Sequence, residues 1–147
     1  MRARGFDPWR PARACTEAED RAAAVVRLVG LAGRERVEAR FLSYGQRRLL
    51  EIGVAVAGEP SVLLLDEPTS GLGARPMETL RDLVHRLSAD LTLVVIEHDM
   101  DFVLTLSQHV VVLHRGVVIA EGPPQAIRDH PEVREAYLGR RPPRGTA

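Results

Sequence analysis

The sequence of 147 residues contains no lysine, and all 20 of its basic residues are arginine. Its single cysteine, Cys15, excludes a disulfide framework and fits a reducing compartment. Apolar runs such as Val110 to Leu113 are far too short to span a bilayer, and the basic N-terminus has no apolar signal-peptide region. The formal net charge is zero, which gives no reason to expect general binding to nucleic acid.

The first part of the chain predicts a leader followed by a helix. Residues 1–15 carry Arg, Pro and Gly without periodicity, and we expect them to be disordered. Thr16 and Glu19 form a T-x-x-E pattern, which is typical of a capping box and predicts that a helix begins there. Gly30 predicts its end. The final residues, 140–147, predict a flexible tail.

The rest of the chain alternates between helical and strand patterns, which predicts an α/β domain with a parallel sheet. The predicted elements are a helix with its N-cap at Ser43, a strand over Val62 to Asp66, a helix with Pro76 in its first turn, a strand over Leu91 to Ile96, a short helix capped by Asp99, a hairpin that turns at Arg115-Gly116, and two short helices that begin at Pro123 and Pro131. The run "LTLVVIEH" is continuous and β-branched, which predicts a strand covered on both faces.

Three short stretches have residues suited to phosphate chemistry. Asp66 and Glu67 stand side by side after an apolar strand, where two like charges are costly unless a cation or a proton transfer uses them. Asp66 would hold Mg²⁺ and Glu67 would orient or deprotonate water. Ser43 begins a helix whose N-terminus could bind an anion. His98 follows a strand at the edge where open α/β sheets bind ligands. Taken singly, the carboxylate pair could equally be an acidic surface turn, Ser43 is better interpreted as a plain N-cap, and His98 could be a surface histidine.

The order and spacing of these stretches resemble the C-terminal half of an ABC transporter ATPase domain. The shared pattern is a Leu-Ser-x-Gly-Gln helix start, an apolar strand that ends in Asp-Glu-Pro, a Ser-Gly-Leu turn and a later strand that ends in His, and it covers residues 16–139. Within that family, "LSYGQ", "IEHDMDFV" and "IRDHPEVREAYLG" resemble the ATPase subunits of branched-chain amino-acid importers.

The resemblance implies a role for each matching residue. Ser43, Gly45 and Gln46 match the signature motif, which in the family contacts the γ-phosphate bound by the opposite subunit. Asp66 matches the Walker B aspartate that holds Mg²⁺, Glu67 the catalytic glutamate, Ser70 the first residue of the D-loop, and His98 the switch histidine. Gly73 departs from the family pattern, which has Asp or Asn there, so a cross-subunit hydrogen bond from that side chain is expected to be lost.

The fold implied is a P-loop NTPase-type ABC ATPase domain, of which we expect the C-terminal portion only. Residues 16–58 would form the helical-subdomain portion with the signature helix, and residues 59–139 the portion from Walker B to the C-terminal helices. A P-loop requires G-x-x-x-x-G-K-[S/T], which a sequence without lysine cannot contain. We therefore expect a parallel sheet flanked by helices that lacks the P-loop strand, which the family places between residues 91–96 and 110–113.

The function implied is the ATP-binding and ATP-hydrolysing component of an ABC importer for branched-chain amino acids. ATP and Mg²⁺ would be its cofactors, and a second ATPase subunit and transmembrane permease subunits its partners, at the cytoplasmic face of the cell membrane, with no nucleic acid and no direct membrane insertion. Because the P-loop lysine is missing, these residues alone are expected to be inactive.

The alternative is a truncated or split-gene product that acts only as an interaction partner. A chromosome-maintenance ATPase head would need heptad coiled coils, which the sequence lacks.

Overall fold

A computed structural model describes the backbone of residues 12–138 and the side chains of residues 16–137. In chain order the elements are α1 (Ala12–Leu28), a 3₁₀ turn (Ala39–Phe41), α2 (Tyr44–Val56), β1 (Val62–Asp66), α3 (Ala74–Leu87), β2 (Thr92–Ile96), α4 (Met100–Leu106), β3 (Val110–His114), β4 (Val117–Gly122), α5 (Pro124–Asp129), α6 (Pro131–Val133) and a π-helical turn (Arg134–Leu138). The mixed order of helices and strands confirms the predicted α/β class. Among the described helices, none is both long and apolar enough to cross a membrane.

Helix α1 begins earlier than the sequence predicted. It starts at Ala12, so Thr16 lies inside the helix and residues 12–15 belong to it and not to a leader. The alanines and arginine of "ARA" favour helix formation, which outweighs the capping pattern that follows them. The predicted leader over residues 1–11 and the predicted tail over residues 140–147 lie outside the described residues.

The C-terminus of α1 follows the sequence prediction. Gly30 has φ +76°, a left-handed conformation that glycine adopts without steric cost. The Leu31 amide donates to the Val26 carbonyl at 2.9 Å, and the Gly30 amide donates to the Arg27 carbonyl at 3.1 Å. This is a Schellman ending, in which the buried Leu31 packs back toward the last turn of the helix.

Strands β1 and β2 form a parallel pair, as the sequence predicted. Their register places Val62 opposite Thr92 and Asp66 opposite Ile96, so both strands end at the same edge. Leu63 and Leu65 are buried in a core that also takes in residues of α1, α2 and α3 and Phe102 of α4. The two strands are thereby fixed to the helices that carry the rest of the candidate site.

The opposite face of this sheet is open within the described part of the chain. Val62, Leu64, Val94 and Ile96 point to that face, and Leu64 is 69% and Ile96 60% exposed. The prediction that β2 is covered on both faces is therefore wrong for the described residues. The physical reason is that α1, α2 and α3 join the cluster that contains Leu63 and Leu65, whereas α4, α5 and α6 pack in a second core with β3 and β4 residues.

Strands β3 and β4 form a separate antiparallel hairpin. Its turn places Arg115 at φ +52° and Gly116 at φ +79°, the left-handed pair of a two-residue hairpin turn. A second core, built from α4, α5, α6 and the hairpin, lies beneath it. Within residues 12–138, no ladder hydrogen bonds join β2 to β3, because the four strands form two separate two-stranded sheets. This agrees with the predicted absence of a strand between them.

Candidate functional site

The carboxyl ends of β1 and β2 bring three of the predicted site residues to one edge. The Glu67 amide donates to the Ile96 carbonyl at 2.8 Å, which extends the strand pairing by one step beyond Asp66. The Nδ1 atom of His98 lies 3.7 Å from Oε1 of Glu67, and both side chains are more than half exposed. The structure therefore brings together the carboxylate and the imidazole that the resemblance assigns to catalysis, in a position open to a ligand.

Glu67 has an uncommon backbone conformation. Its φ is +43°, in the left-handed region that costs a residue with a side chain roughly 1–2 kcal/mol. Pro68 and Thr69, which follow it, are both buried, and the Ser70 amide donates to the Glu67 carbonyl at 3.1 Å. The turn that carries the carboxylates is thus closed and packed, which fixes the backbone from which the Glu67 side chain projects.

Ser43 is the N-cap of α2, as predicted, and it forms a complete capping box with Gln46. The Ser43 Oγ accepts from the Gln46 amide at 3.3 Å, and Oε1 of the Gln46 side chain accepts from the Ser43 amide at 3.0 Å. The Ser43 hydroxyl keeps its own proton to donate. The amides of Tyr44 and Gly45, at the first turn, have no acceptor within the helix. The helix start can therefore donate to an anion.

Gly45 is buried because α2 crosses close to the start of α3. A Cβ at this position would lie 2.7 Å from Cγ and 2.8 Å from Cβ of Pro76. The sequence associated Gly45 only with phosphate binding, but the structure gives it a packing role as well. Ser70, the remaining predicted cofactor residue, is exposed in the turn between Glu67 and α3.

Gly73, which departs from the family pattern, is the N-cap of α3. It makes no side-chain cap bond, and a Cβ there would meet nothing within 4 Å. A larger side chain would fit without a clash, so the glycine is not required by packing. The loss of a cross-subunit hydrogen bond stays a prediction.

Two charged residues that the sequence analysis missed hold the turn after β1. Arg48 of α2 donates through Nη2 to the carbonyl oxygens of Asp66 at 2.9 Å and Glu67 at 3.3 Å. Glu97 follows β2, and its side chain is fully buried. Its Oε1 accepts from the Thr69 amide at 2.7 Å. A carboxylate next to an apolar strand, which needs donors if it is buried, was the signal that could have revealed Glu97.

The donor set fits Mg²⁺ held jointly with phosphate oxygens. Asp66 presents an exposed carboxylate at the edge where Glu67 and His98 meet, and a hard oxygen ligand of this kind suits Mg²⁺. Among residues 12–138, no group of three His, Cys, Asp or Glu side chains could hold a metal ion. A magnesium ion bound by one carboxylate and substrate phosphates needs no such cage.

Two known protein families match parts of the chain. A family described as "ABC transporter" matches residues 2–70, and one described as "Branched-chain amino acid ATP-binding cassette transporter" matches residues 117–142. The high-affinity branched-chain amino acid transport ATP-binding protein BraF of Pseudomonas aeruginosa is 40% identical over 125 residues, which are 84% of this chain and 49% of BraF. The corresponding protein LivG of Escherichia coli is 39% identical over 129 residues, 86% of this chain and 51% of LivG.

Solved structures give the same result. The ADP conformation of MJ1267, described as an ATP-binding cassette of an ABC transporter, superposes with a TM-score of 0.74 at 30% identity, over 90% of this chain and 54% of MJ1267. CbiO1 of Clostridium perfringens, described as part of an ABC transporter complex, superposes with a TM-score of 0.70 at 27% identity, over 92% of this chain and 54% of that protein. The chain spans about half the length of the relatives it matches. Sequence and structure agree that the chain resembles the ATP-binding proteins of ABC transporters over about half of their length.

Proposed function

We propose that this chain contributes the Walker B, switch and signature portion of an ATP-hydrolysing subunit that powers a branched-chain amino-acid importer. The proposal rests on one observation: Oε1 of Glu67 lies 3.7 Å from Nδ1 of His98, at the edge where β1 and β2 both end. The similarity to BraF and LivG, which are named as branched-chain amino acid transport ATP-binding proteins, supports the solute class.

In this proposal the two carboxylates have separate tasks. Asp66 holds Mg²⁺, which when bound neutralises charge on the phosphates. Glu67 accepts a proton from the attacking water and aims it, which its fixed left-handed backbone supports. His98 donates from its imidazole to a terminal phosphate oxygen and stabilises charge that develops there.

The start of α2 would act on a nucleotide held by a second ATPase subunit. The Ser43 hydroxyl and the free amides of Tyr44 and Gly45 all donate, and the positive end of the helix dipole favours a phosphate. Gln46 would contribute its amide nitrogen, because its oxygen is used in the capping box. We infer that the subunit pairs with a second ATPase subunit and works beneath permease subunits at the cytoplasmic face of the membrane.

The phosphate cradle must come from residues outside these 147, since they contain no lysine. The proposal therefore predicts that two segments supply different parts of the site, which we call the split of labour. The segment that carries G-x-x-x-x-G-K-[S/T] supplies the phosphate-binding loop, and this chain supplies the carboxylates and the histidine.

The test is reconstitution. The 147 residues are assayed for Mg-ATP hydrolysis alone, and then with a separately expressed segment that carries the P-loop motif from a branched-chain amino acid transport ATP-binding protein. We expect no turnover above background alone and measurable turnover in the mixture, lost when the P-loop lysine is replaced by alanine. Turnover by the chain alone that Glu67→Gln abolishes would contradict the split of labour, and no turnover in a mixture that forms a stable complex would contradict the proposed function.

A further inference from the structure

We propose that Arg48 and Glu97 are positioning residues, which hold the turn over residues 66–69 from two sides and keep the Glu67 carboxylate facing His98. This inference rests on the proposed function, because it takes Glu67 and His98 as the catalytic pair. Neither Arg48 nor Glu97 would touch the nucleotide. They act on the backbone of the residues that do.

Arg48 anchors the turn from the side of α2. Its Nη2 donates to both the Asp66 and the Glu67 carbonyl oxygens, so one guanidinium group grips two consecutive peptide units. Its Nη1 donates to Oε2 of Glu51, one turn further along the same helix, at 3.2 Å. That second bond fixes the planar guanidinium in place, so less side-chain freedom is lost when it binds the carbonyls. A shift of α2 would therefore be carried to the backbone of Asp66 and Glu67.

Glu97 anchors the same turn from the side of β2. Its Oε1 accepts from the Thr69 amide at 2.7 Å, and its Oε2 accepts from the His98 amide at 3.1 Å. A fully buried carboxylate is tolerated only with such donors, and bonds to an ionised acceptor are stronger than neutral ones. The Glu97 side chain thus links the backbone of His98 to the turn that contains Glu67.

The two anchors flank the strained residue. Arg48 binds the carbonyl oxygens of Asp66 and of Glu67 itself, and Glu97 binds the Thr69 amide two residues further on. The two anchors therefore bind the backbone on both sides of the Glu67 side chain, at a residue with φ +43°. A left-handed residue persists only where its surroundings over-determine it. Removal of either anchor lets Glu67 relax toward an ordinary conformation, which turns its carboxylate away from the His98 Nδ1 atom.

Hydrogen–deuterium exchange measured by mass spectrometry tests the anchors in the chain at micromolar concentration. The chain carries Leu64→Gln and Ile96→Gln on the exposed face of β1 and β2 to reduce self-association. Glu97→Gln keeps the shape of the side chain but places an NH₂ group against one of two backbone donors. We expect exchange at the amide that faces this NH₂ group, Thr69 or His98, to become about tenfold faster, with exchange in α2 and the unfolding midpoint unchanged. Glu121→Gln, which removes an exposed carboxylate on β4, is the matched control and should leave the turn unaffected.

Unchanged exchange both over residues 66–73 and at the His98 amide in Glu97→Gln would overturn the proposal. A uniform rise over the whole chain with a lower unfolding midpoint would also overturn it, because Glu97 would then contribute only to overall stability. If Glu97→Gln fails to fold, Arg48→Ala decides, since that side chain is about one-third exposed. It should loosen residues 66–70, whereas Arg47→Ala, at the exposed neighbouring position, should not.

A second experiment measures steady-state Mg-ATP hydrolysis by the reconstituted cassette, which is the mixture of this chain with the separately expressed P-loop segment. Glu97→Gln and Arg48→Ala should lower kcat about tenfold or more and change the KM for ATP less than twofold, as expected for residues that aim a base and do not bind nucleotide. A raised KM with kcat unchanged would contradict the positioning role. Absence of hydrolysis with the unaltered chain would count against the proposed function alone, because the exchange result remains decisive for the anchors.

Discussion

The ring of Tyr44, the first residue of α2, lies against Gly71: a Cβ at Gly71 would be 3.1 Å from Cε1 of the tyrosine. One residue further along, Gly45 allows α2 to meet the ring of Pro76. These two contacts join the start of α2 to the turn after Glu67 and to the first turn of α3. The N-terminus of α2 and the turn that follows Glu67 therefore pack against each other.

The first prediction concerns the packing of Gly45. Gly45→Ala places a methyl group 2.7 Å from Cγ of Pro76, and a proline ring cannot swing aside. We expect the free energy of unfolding to fall by about 1–3 kcal/mol, as for other overpacked sites, measured by urea denaturation. Gly58→Ala is the control at the other end of the same helix, because its Cβ would lie 3.5 Å from the Ala55 carbonyl oxygen, an ordinary contact. A control loss as large as that of Gly45→Ala would refute the steric explanation.

The second prediction separates the two roles of Ser43. Ser43→Ala removes the cap and should cost about 1 kcal/mol of stability. Ser43→Asp keeps a side-chain acceptor for the Gln46 amide and should retain the stability of the unaltered chain, but under the proposed function its negative charge would repel the phosphate expected at this helix end. We expect nucleotide-dependent association in the reconstituted cassette, measured by light scattering, to be lost in Ser43→Asp. Association at the level of the unaltered chain would contradict a phosphate contact at this helix end.

The third prediction concerns the open face of the β1 and β2 pair. An exposed apolar face beside unpaired strand edges favours self-association, so we expect the isolated chain to be oligomeric or poorly soluble. Leu64→Gln combined with Ile96→Gln should shift it toward monomer in size-exclusion chromatography with light scattering, at little cost in stability. Leu65→Gln, on the buried face of the same strand, should unfold the chain. A monodisperse monomer before any substitution would show that the open face does not drive association.

Elements with local signals were predictable from sequence. The strand Val62–Asp66 has the bounds that its apolar run indicated, and Asp99 caps α4 by accepting from the Phe102 amide at 2.9 Å, as its position suggested. The start of α1 was not predictable from its capping pattern, because helix-favouring residues precede Thr16. A cap signal competes with propensity, and here propensity decided the boundary.

The residues of the candidate site also differ in how far the sequence could predict them. Asp66, Glu67 and His98 could be predicted because each lies at or just after the end of an apolar strand, and parallel strands bring their ends together. Glu97 could have been suspected as a carboxylate beside an apolar strand, but its contact and that of Arg48 could not be predicted. These contacts span 28 and 18 residues of sequence and reach backbone atoms whose positions only the fold defines. Side chains that bind a neighbour's backbone leave no pattern of paired residue types in a single sequence.

The central claim is that Glu67 acts as the base of a cassette whose phosphate-binding loop lies elsewhere. Its most direct test is the steady-state rate of Mg-ATP hydrolysis by the reconstituted cassette with Glu67→Gln, beside Glu78→Gln on the exposed side of α3 as control. We predict a rate at least about a hundredfold lower for Glu67→Gln, as expected for the loss of a general base, and an unchanged rate for the control. Equal rates for Glu67→Gln and the unaltered protein would contradict the account.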